Sequence, residues 1–276
     1  MGYPREKKMS KGLLLFAFNT DKTDYFKMAV STAKRANHFL NLPVSVVTDK
    51  STDISQYEYT FDNVIIQESD PSNTNIHKDV WINKGRYKAY DASPYDETLL
   101  LDTDYLINSD TLLKPFELYD DFMCHNNTSF LMVNEPPEYI NQFSYKTLWA
   151  TVMYFKKTNK TKQLFECMKM VQENYAHYLT LHKLISASYR NDYALTFALR
   201  ILYGQLEDTS NYIPWNLLHA GKGTIVYKNS DDMFNTEYTV IHDNWKNGKI
   251  RKEYCIVKDL DFHMMNKNNF MELMNE

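Results

Sequence analysis

The sequence is poor in glycine. Only seven of its 276 residues are glycine, and only Gly2, Gly12 and Gly85 precede residue 200. The first 200 residues therefore contain neither the G-x-G-x-x-G pattern of dinucleotide-binding folds nor the G-x-x-x-x-G-K-[ST] pattern of P-loop proteins. Both patterns use glycine because the backbone must approach phosphates closely. Their absence excludes the usual dinucleotide-binding and P-loop interpretations.

Cysteine is also scarce, and long hydrophobic runs are missing. Cys124, Cys167 and Cys255 are far apart and form no C-x-x-C pair, so the sequence predicts neither a disulfide framework nor a zinc site. The longest early apolar run, Leu13 to Phe18, is too short to span a membrane. It continues into Asn19-Thr20-Asp21 and not into a small-residue cleavage site. We therefore expect a cytoplasmic protein that does not act at a membrane.

Neither sign of charge is in strong excess. The 31 Lys and Arg residues and 35 Asp and Glu residues give a net charge of −4, so no overall positive field attracts nucleic acid or anionic lipid. A content of 43% hydrophobic, 24% charged and 14% aromatic residues excludes the disordered, collagen and coiled-coil classes. The length and composition predict a single compact domain.

The first half of the chain alternates strand and helix patterns. Apolar residues at helical spacing predict a helix that begins after the candidate caps Thr20 and Thr23 and ends near Leu40. A second helix is predicted over residues 84–92, before Pro94. Short apolar runs predict strands at residues 12–18, 43–48, 63–66 and 98–101. Strands that alternate with helices in this way indicate an α/β fold with a parallel sheet.

The second half is less regular. Its patterns predict helices over residues 161–178 and 192–203. The predicted strands are residues 130–133, 151–155, 224–226 and 238–241, the last ending at His242. Four of the seven glycines lie between residues 204 and 248, which predicts a loop-rich region there.

The strongest functional signal is the acidic pair in Leu99-Leu100-Leu101-Asp102-Thr103-Asp104. Ligands of open α/β sheets bind outside the carboxyl ends of the strands, which is where this pair falls. Two neighbouring carboxylates repel unless a cation neutralises them, so the pair predicts an Mg²⁺ or Mn²⁺ site that a nucleotide phosphate can complete. The alternative interpretation is an acidic turn that caps the next helix, with Asp110 as another cap candidate.

A second signal follows the strand that ends at His242. A neutral imidazole there would add a third metal bond to those of Asp102 and Asp104. Lys246 and Lys249 would place ammonium groups against a diphosphate leaving group. The alternative is an ordinary surface histidine beside a solvated basic face.

The segment from Arg86 to Asp104 resembles the core of GT-A glycosyltransferases, most closely the family-8-like branch of glycogenin and galactosyltransferase type. The shared features are an arginine-bearing helix, a break at Pro94, an apolar strand and the D-x-D. The resemblance implies a GT-A-type, Rossmann-like mixed sheet flanked by helices. It also implies a single catalytic domain over residues 1–276, with a nucleotide-binding half at about 10–110 and an acceptor half at about 111–276.

The same resemblance implies a metal-dependent enzyme that transfers a sugar from a nucleotide-sugar, often a UDP-sugar, to a hydroxyl acceptor. Mn²⁺ or Mg²⁺ would be its cofactor, held by Asp102, Asp104 and His242. The residues that would surround the donor are Ala17, Phe18, Asn19, Tyr25, Lys84, Arg86, Asp102, Thr103, Lys246 and Lys249.

Two further carboxylates are candidate catalytic residues. Asp192 resembles the acidic helix start that faces donor sugar and acceptor in the family, and its alternative role is an N-cap of the helix that follows. Glu135, after the predicted strand at 130–133, is the second candidate. An inverting transfer needs one of them as a general base, whereas a retaining transfer can use the leaving phosphate.

The acceptor is open at this level. Composition rich in Tyr, Asn and Lys is similar to that of glycosyltransferases of T4-like phages, which implies hydroxymethylated cytosine in DNA as one acceptor and the host cytoplasm as the location. Lys156, Lys157, Lys160 and Lys162 would then meet DNA phosphates. The alternatives are a glycan or small-molecule acceptor, a phosphatase of the haloacid-dehalogenase type with Asp102 as nucleophile, or a non-catalytic module that binds nucleotide-sugars.

Overall fold

The computed structural model describes residues 9–68, 83–118, 120–135, 138–141, 144–184, 189–204, 212–246 and 249–274. Its strands are β1 (Lys11–Phe16), β2 (Val44–Thr48), β3 (Asn63–Ile66), β4 (Glu97–Leu101), β5 (Tyr105–Leu106), β6 (Phe122–His125), β7 (Thr128–Phe130), β8 (Trp149–Lys156), β9 (Leu217–Ala220), β10 (Thr224–Lys228), β11 (Glu237–Lys246), β12 (Lys249–Lys258) and β13 (Phe262–Met264). Its α-helices are α1 (Tyr25–Leu40), α2 (Ala89–Ala92), α3 (Asn159–Glu173), α4 (Tyr175–Leu181), α5 (Asn191–Tyr203) and α6 (Lys267–Met274). Short 3-10 helices are Ile54–Gln56, Asn83–Lys88 and Thr111–Glu117.

The central sheet has six strands in the order β3-β2-β1-β4-β8-β6. The first four are parallel to one another, whereas β8 runs antiparallel to both β4 and β6. β1 and β4 each contain three consecutive buried leucines, Leu13 to Leu15 and Leu99 to Leu101, which is typical of parallel strands covered on both faces. The mixed sheet flanked by helices confirms the fold class predicted from the sequence.

Helices cover both faces of this sheet. Alternate residues of a strand point to opposite faces, and β1 follows this rule. Leu13 and Leu15 pack with α1 residues such as Phe26 on one face, whereas Leu14 packs with α3 residues such as Leu164 on the other. The buried ring of Tyr95 covers Gly12, where any side chain would collide with it.

Two smaller sheets follow the carboxyl end of β4. One has the order β5-β13-β9-β7, and the other has the order β10-β11-β12. Tyr238 and Val240 of β11 pack with Phe262 of β13 and Phe270 of α6 in a shared core. Chain segments far apart in sequence therefore meet beside the end of β4. No helix among the residues that the structure describes is long and apolar enough to cross a bilayer.

Several predicted elements are confirmed, and others differ for identifiable reasons. The predicted strand at 63–66 coincides with β3, and the predicted helix at 84–92 begins as a 3-10 helix before becoming α2. The predicted helix at 161–178 is divided, because Asn174 leaves helical geometry and its backbone caps α3. Only residue 130 of the strand predicted at 130–133 lies in β7.

The region at 204–248 was predicted to be loop-rich, with strands at 224–226 and 238–241. Both strands are confirmed within β10 and β11, but β9 and the full length of β11 give its described residues more strand than predicted. Two of the glycines on which the loop prediction was based, Gly221 and Gly223, lie in one short connection between β9 and β10.

Candidate metal and donor site

The acidic turn Asp102-Thr103-Asp104 lies where the central sheet ends and the sheet of β5 begins. The Asp102 N–H donates to the Thr151 carbonyl on β8 at 3.0 Å. The hydroxyl of Thr32 on α1 donates to the Thr103 carbonyl at 2.7 Å, and the Met264 N–H on β13 donates to the Asp104 carbonyl at 2.9 Å. Three elements therefore hold the backbone of the turn, which fixes where both carboxylates point.

The carboxylate of Asp104 is buried between two nitrogen-bearing side chains. Its Oδ1 lies 3.3 Å from Nε2 of His263 on β13, and its Oδ2 lies 3.1 Å from Nζ of Lys267 at the start of α6. Lys267 Nζ also lies 4.9 Å from the centre of the Tyr25 ring. Both basic residues come from the last part of the chain, so the site is closed by elements that are distant in sequence.

The neighbouring charges of Lys267 and His263 control the protonation of the Asp104 carboxylate. Burial alone would raise the pKa of Asp104, but Lys267 and His263 hold that pKa well below its ordinary value. Burial alone would lower the pKa values of His263 and Lys267, but the Asp104 carboxylate raises both above their ordinary values. The carboxylate of Asp104 is therefore ionised throughout the neutral range.

Asp102, Asp104 and His263 form a set of ligand atoms suited to a metal ion. One oxygen or nitrogen from each lies within 4.8 Å of the others. Asp104 and His263 are buried, whereas the Asp102 side chain is 25% exposed, so the set opens to solvent on the Asp102 side. Two carboxylates and one imidazole make a mixed oxygen and nitrogen set that Mg²⁺ and Mn²⁺ accept.

His242, the histidine predicted to complete this set, is not part of it. It lies on β11 opposite Thr224, with its Nδ1 3.3 Å from the Thr224 hydroxyl. His263 occupies the expected place because β13 inserts between β5 and β9, directly beside the acidic turn. Neither His263 nor Lys267 was predicted from the sequence as a site residue. The signal that marks them is a histidine after Phe262 with a lysine four residues later, in Phe262-His263-Met264-Met265-Asn266-Lys267.

Arg86 contacts the acidic pair directly. Its Nη1 forms a short ion pair with Asp102 Oδ1, and its Nη2 donates to the Thr151 carbonyl at 3.4 Å. Arg86 is 1% exposed, so its guanidinium is a fixed part of the wall and not a mobile surface charge. It was predicted to approach a diphosphate, and the contact that the structure shows is with Asp102.

Residues predicted to surround the base and ribose fall into two groups. Ala17 and Phe18 are buried in the core, and the Ala17 N–H already donates to the Val47 carbonyl. Asn19 and Tyr25 are half-buried: Asn19 Oδ1 accepts from the Phe26 N–H at 2.8 Å, and Tyr25 faces Lys267. Of these four residues, Tyr25 is the one linked to the acidic turn, because the Lys267 ammonium that it faces pairs with Asp104.

Three other predicted donor residues cannot be placed in the site. The side chains of Lys84, Lys246 and Lys249 lie outside the described part of the structure. The backbones of Lys246 and Lys249 pair with each other at the end of the β11–β12 hairpin. Their predicted role at the diphosphate stays a prediction.

Asp192 is already engaged by neighbouring groups. Its Oδ1 accepts from the Ala150 N–H at 2.9 Å, and its Oδ2 accepts from the Arg190 guanidinium at 2.9 Å. Arg190 also forms an ion pair with Glu138, and the two carboxylates raise its pKa despite partial burial. Ala150 precedes Thr151, the residue that pairs with Asp102, so Asp192 lies at the same end of the sheet as the acidic turn. Glu135 is exposed in the loop after β7.

The predicted DNA-contacting lysines lie at the other end of the sheet. Lys156 pairs with Glu97 at the start of β4, whereas Asp102 follows the end of that strand. Lys157 Nζ donates to the Ser93 carbonyl at 2.6 Å, and Lys162 Nζ lies 3.9 Å from Glu166. These lysines therefore do not line the acidic turn.

No protein-family model matches the sequence, and a search of curated proteins finds no match. Solved structures with a similar chain path include the glycosyltransferase GlyE of Streptococcus pneumoniae TIGR4, at 14% identity and a TM-score of 0.40. That match covers 74% of this chain and 44% of the GlyE chain, so the chain spans less than half the length of GlyE.

Two further matches are to LgtC. An active-site mutant of LgtC aligns at 15% identity with a TM-score of 0.47, covering 68% of this chain and 69% of the other. The galactosyltransferase LgtC in complex with donor and acceptor sugar analogs aligns at 12% identity with a TM-score of 0.44, covering 68% and 70%. Because these TM-scores are below 0.5, the similarity does not indicate a function, and the geometry of this chain's own residues has to support one.

Proposed function

We propose that the chain is a glycosyltransferase that binds a nucleotide-sugar through a divalent cation and transfers the sugar to a hydroxyl group. The observation that supports this proposal is the convergence of Asp102, Asp104 and His263 within 4.8 Å at the carboxyl end of β4. Open α/β sheets bind their ligands at this edge.

The chemistry of the ligand set fits the cation that the proposal needs. Mn²⁺ and Mg²⁺ prefer carboxylate oxygens, and one imidazole nitrogen is an acceptable third ligand. When bound, such an ion would offset the negative charge of a diphosphate. The side of the set at the partly exposed Asp102 is the side where phosphate oxygens would enter.

Lys267 and Arg86 supply fixed positive charge on either side of the acidic pair. Lys246 and Lys249 were predicted to place ammonium groups against the diphosphate. We assign that role to Lys267, because its ammonium group lies 3.1 Å from Asp104. A charge at this place stabilises a diphosphate leaving group more strongly as its bond to the sugar breaks, and it therefore lowers the barrier. Arg86 holds Asp102 in position through their ion pair.

The base and ribose of the donor would lie along the start of α1. Tyr25 presents its ring beside Lys267, and Asn19 is held by the Phe26 N–H and donates to the Tyr57 hydroxyl at 3.1 Å. This wall combines an aromatic face with polar groups, as small-molecule sites usually do. A UDP-sugar is the donor that we propose.

For the acceptor we propose a glycan or small-molecule hydroxyl and not DNA. The lysines expected to bind DNA phosphates lie at the opposite end of β4 from Asp102. If the transfer inverts, Glu135 is the stronger candidate base, since Asp192 already accepts from Ala150 and Arg190. If the transfer retains configuration, no protein base is required.

A thermal-shift panel tests the donor and the cation together. We expect UDP-sugars to raise the melting temperature in Mn²⁺ and to have little effect in EDTA, because specific binding stabilises the folded state by mass action. The panel should contain UDP-, GDP- and ADP-sugars and a generic aryl phosphate as substrate. A Mn²⁺-independent response, or phosphate release from the aryl phosphate, would contradict the proposal and favour the phosphatase alternative.

Two histidine variants locate the site. His263→Ala should abolish Mn²⁺ binding measured by electron paramagnetic resonance, and His242→Ala should bind Mn²⁺ as the wild type does. Donor hydrolysis should follow the same order. Loss of Mn²⁺ binding in His242→Ala with normal binding in His263→Ala would restore the sequence-based choice and overturn this one.

A further inference from the structure

The imidazole of His263 contacts Asp104 on one side and a second histidine, His219, on the other. Its Nε2 faces Asp104, and its other ring nitrogen, Nδ1, lies 3.0 Å from Nδ1 of His219. The two histidines are side by side because β13 and β9 are parallel neighbours in which His263 and His219 are register partners. The pairing of β13 with β9 therefore places the two buried histidines next to each other.

His219 is enclosed in an apolar environment. It is 0% exposed, and its ring centre lies 4.6 Å from that of Trp149 and 5.2 Å from that of Phe130. Such surroundings disfavour a charged imidazolium, so His219 is neutral and offers one donor and one acceptor nitrogen. Its Nε2 is buried without a hydrogen-bond partner among the described residues, so the hydrogen bond that the ring makes there is the one at Nδ1.

Because the two facing nitrogens lie at hydrogen-bond distance, one of them must carry the hydrogen and donate it, and the other must accept with its lone pair. If His219 donated, His263 would carry its hydrogen on Nε2 and could not offer that nitrogen to a cation. If His219 accepts, His263 carries its hydrogen on Nδ1 and its Nε2 lone pair points at the acidic pair. Only the second arrangement is compatible with three ligands in one set.

We propose that His219 is a positioning residue that accepts the Nδ1–H of His263 and so holds His263 in the tautomer and orientation that bind a cation. This inference deepens the proposed function and rests on it. His219 does not contact Asp102 or Asp104 in this role, and it acts only through the ring of His263.

The test compares two replacements of His219. His219→Phe keeps an aromatic ring and removes the acceptor, and we expect it to weaken Mn²⁺ binding about 10- to 100-fold, the range found when such supporting groups are lost. His219→Asn places a carbonyl oxygen near the position of Nδ1, and it should retain Mn²⁺ affinity within about threefold of wild type. The matched control is His125→Phe, another fully buried histidine, whose Nδ1 instead faces the Trp215 carbonyl. It should leave Mn²⁺ affinity unchanged.

Nitrogen-15 spectra of the Mg²⁺-loaded wild-type protein report which ring nitrogen of His263 carries the hydrogen. A purely structural role of His219 would not determine that position. The His263 resonances, assigned by their absence in His263→Ala, should show the hydrogen on Nδ1 and a metal-bound Nε2. A hydrogen on Nε2 would overturn the inference even if His219→Phe does not fold. Unchanged Mn²⁺ affinity in a folded His219→Phe would overturn it as well.

The two proposals fail in different ways. If the wild type itself does not bind Mn²⁺, the metal-dependent function fails and this inference fails with it. If the wild type binds Mn²⁺ and His219→Phe binds it equally well, only the role of His219 is lost. If both replacements weaken binding to the same extent, packing and not the acceptor is responsible, and the inference is wrong.

Discussion

At the scale of single residues, Asp104 serves both the fold and the proposed chemistry. Its buried carboxylate is the counter-charge of Lys267 and His263 and also a member of the candidate ligand set. A substitution that removes its charge therefore has two effects, and a second substitution can separate them.

We predict that Asp104→Asn abolishes Mn²⁺ binding and lowers the free energy of unfolding by about 2 kcal/mol, because Lys267 loses its partner. The double variant Asp104→Asn/Lys267→Met should recover part of that stability without recovering Mn²⁺ binding. Urea unfolding measures the first quantity, and paramagnetic resonance titration of Mn²⁺ measures the second. Asp110→Asn, at an exposed carboxylate, is the control for both.

His125 makes the stability of the protein depend on pH in the acid range. Burial lowers its pKa to about 4, against an ordinary value of 6.5, although the hydrogen bond to the Trp215 carbonyl opposes this shift. The unfolded chain therefore takes up a proton between pH 6.5 and 4 that the folded protein does not. The free energy of unfolding falls as the pH decreases through this window.

We predict that His125→Phe removes this part of the pH dependence. The variant should be less stable than wild type at pH 7, since it loses the hydrogen bond to Trp215. The difference in free energy of unfolding should shrink by about 3 kcal/mol between pH 7 and pH 4, as a shift of this size implies. Urea unfolding at several pH values measures it, and a difference that stays constant would show that His125 does not titrate in this range.

At the scale of elements, the packing of Tyr95 against β1 fixes one side of the central sheet. A Cβ at Gly12 would lie 2.3 Å from the Tyr95 ring, and the Tyr95 hydroxyl shares a 2.7 Å hydrogen bond with Ser45 of β2. The ring is therefore held in place from its far end and cannot easily move aside.

Gly12→Ala should lower the free energy of unfolding by about 1–3 kcal/mol through this overlap. Combining it with Tyr95→Ala should remove the clash, so the two substitutions should be clearly non-additive. Gly223→Ala is the control, because the nearest atom to its Cβ would be His242 Cε1 at an ordinary 3.9 Å. Additive costs in chemical unfolding curves would show that the ring does adjust.

The sequence predicts the central elements well because their apolar patterns are unambiguous. The strand predicted at 63–66 is β3, and the helix predicted to end near Leu40 is α1. The cap of that helix was missed: the side chain of Asp24, and not that of Thr20 or Thr23, accepts the Lys27 N–H. Both Asp and Thr are favoured at helix N-caps, so the chain path decides which of the three positions is used.

The site was predicted in part, for a comparable reason. Asp102 and Asp104 follow a short apolar strand of an α/β pattern, and that position indicates a ligand-binding edge. His263 lies on a strand of three residues, which is too short to leave a period in the sequence. Its place beside Asp104 depends on pairing with β5 and β9, and such long-range pairing cannot be read from local patterns.

At the scale of the whole molecule, the lysines at 156–162 and the acidic turn lie at opposite ends of the central sheet. Lys156 pairs with Glu97, and Asp102 follows five residues later, about 16 Å along the strand at the usual rise per residue. This basic surface therefore does not line the acidic turn. The net charge of −4 adds no general attraction for nucleic acid.

We predict that Lys160→Gln/Lys162→Gln leaves donor hydrolysis and Mn²⁺ affinity within about twofold of wild type. The same variant should not change gel-shift behaviour with hydroxymethylated duplex DNA, for which we expect only weak, salt-sensitive binding. Steady-state kinetics and gel shifts at two salt concentrations measure these quantities. A large loss of transfer to modified DNA in this variant would identify DNA as the acceptor.

The acidic turn and its two basic partners, His263 and Lys267, are synthesised at different times. Lys267 lies 163 residues beyond Asp104 in the chain, and His263 only slightly less far. A ribosome can therefore finish all six strands of the central sheet before the codon for His263 is read. A product that stops before these residues would contain the strands of the central sheet but not the complete set of Asp102, Asp104 and His263.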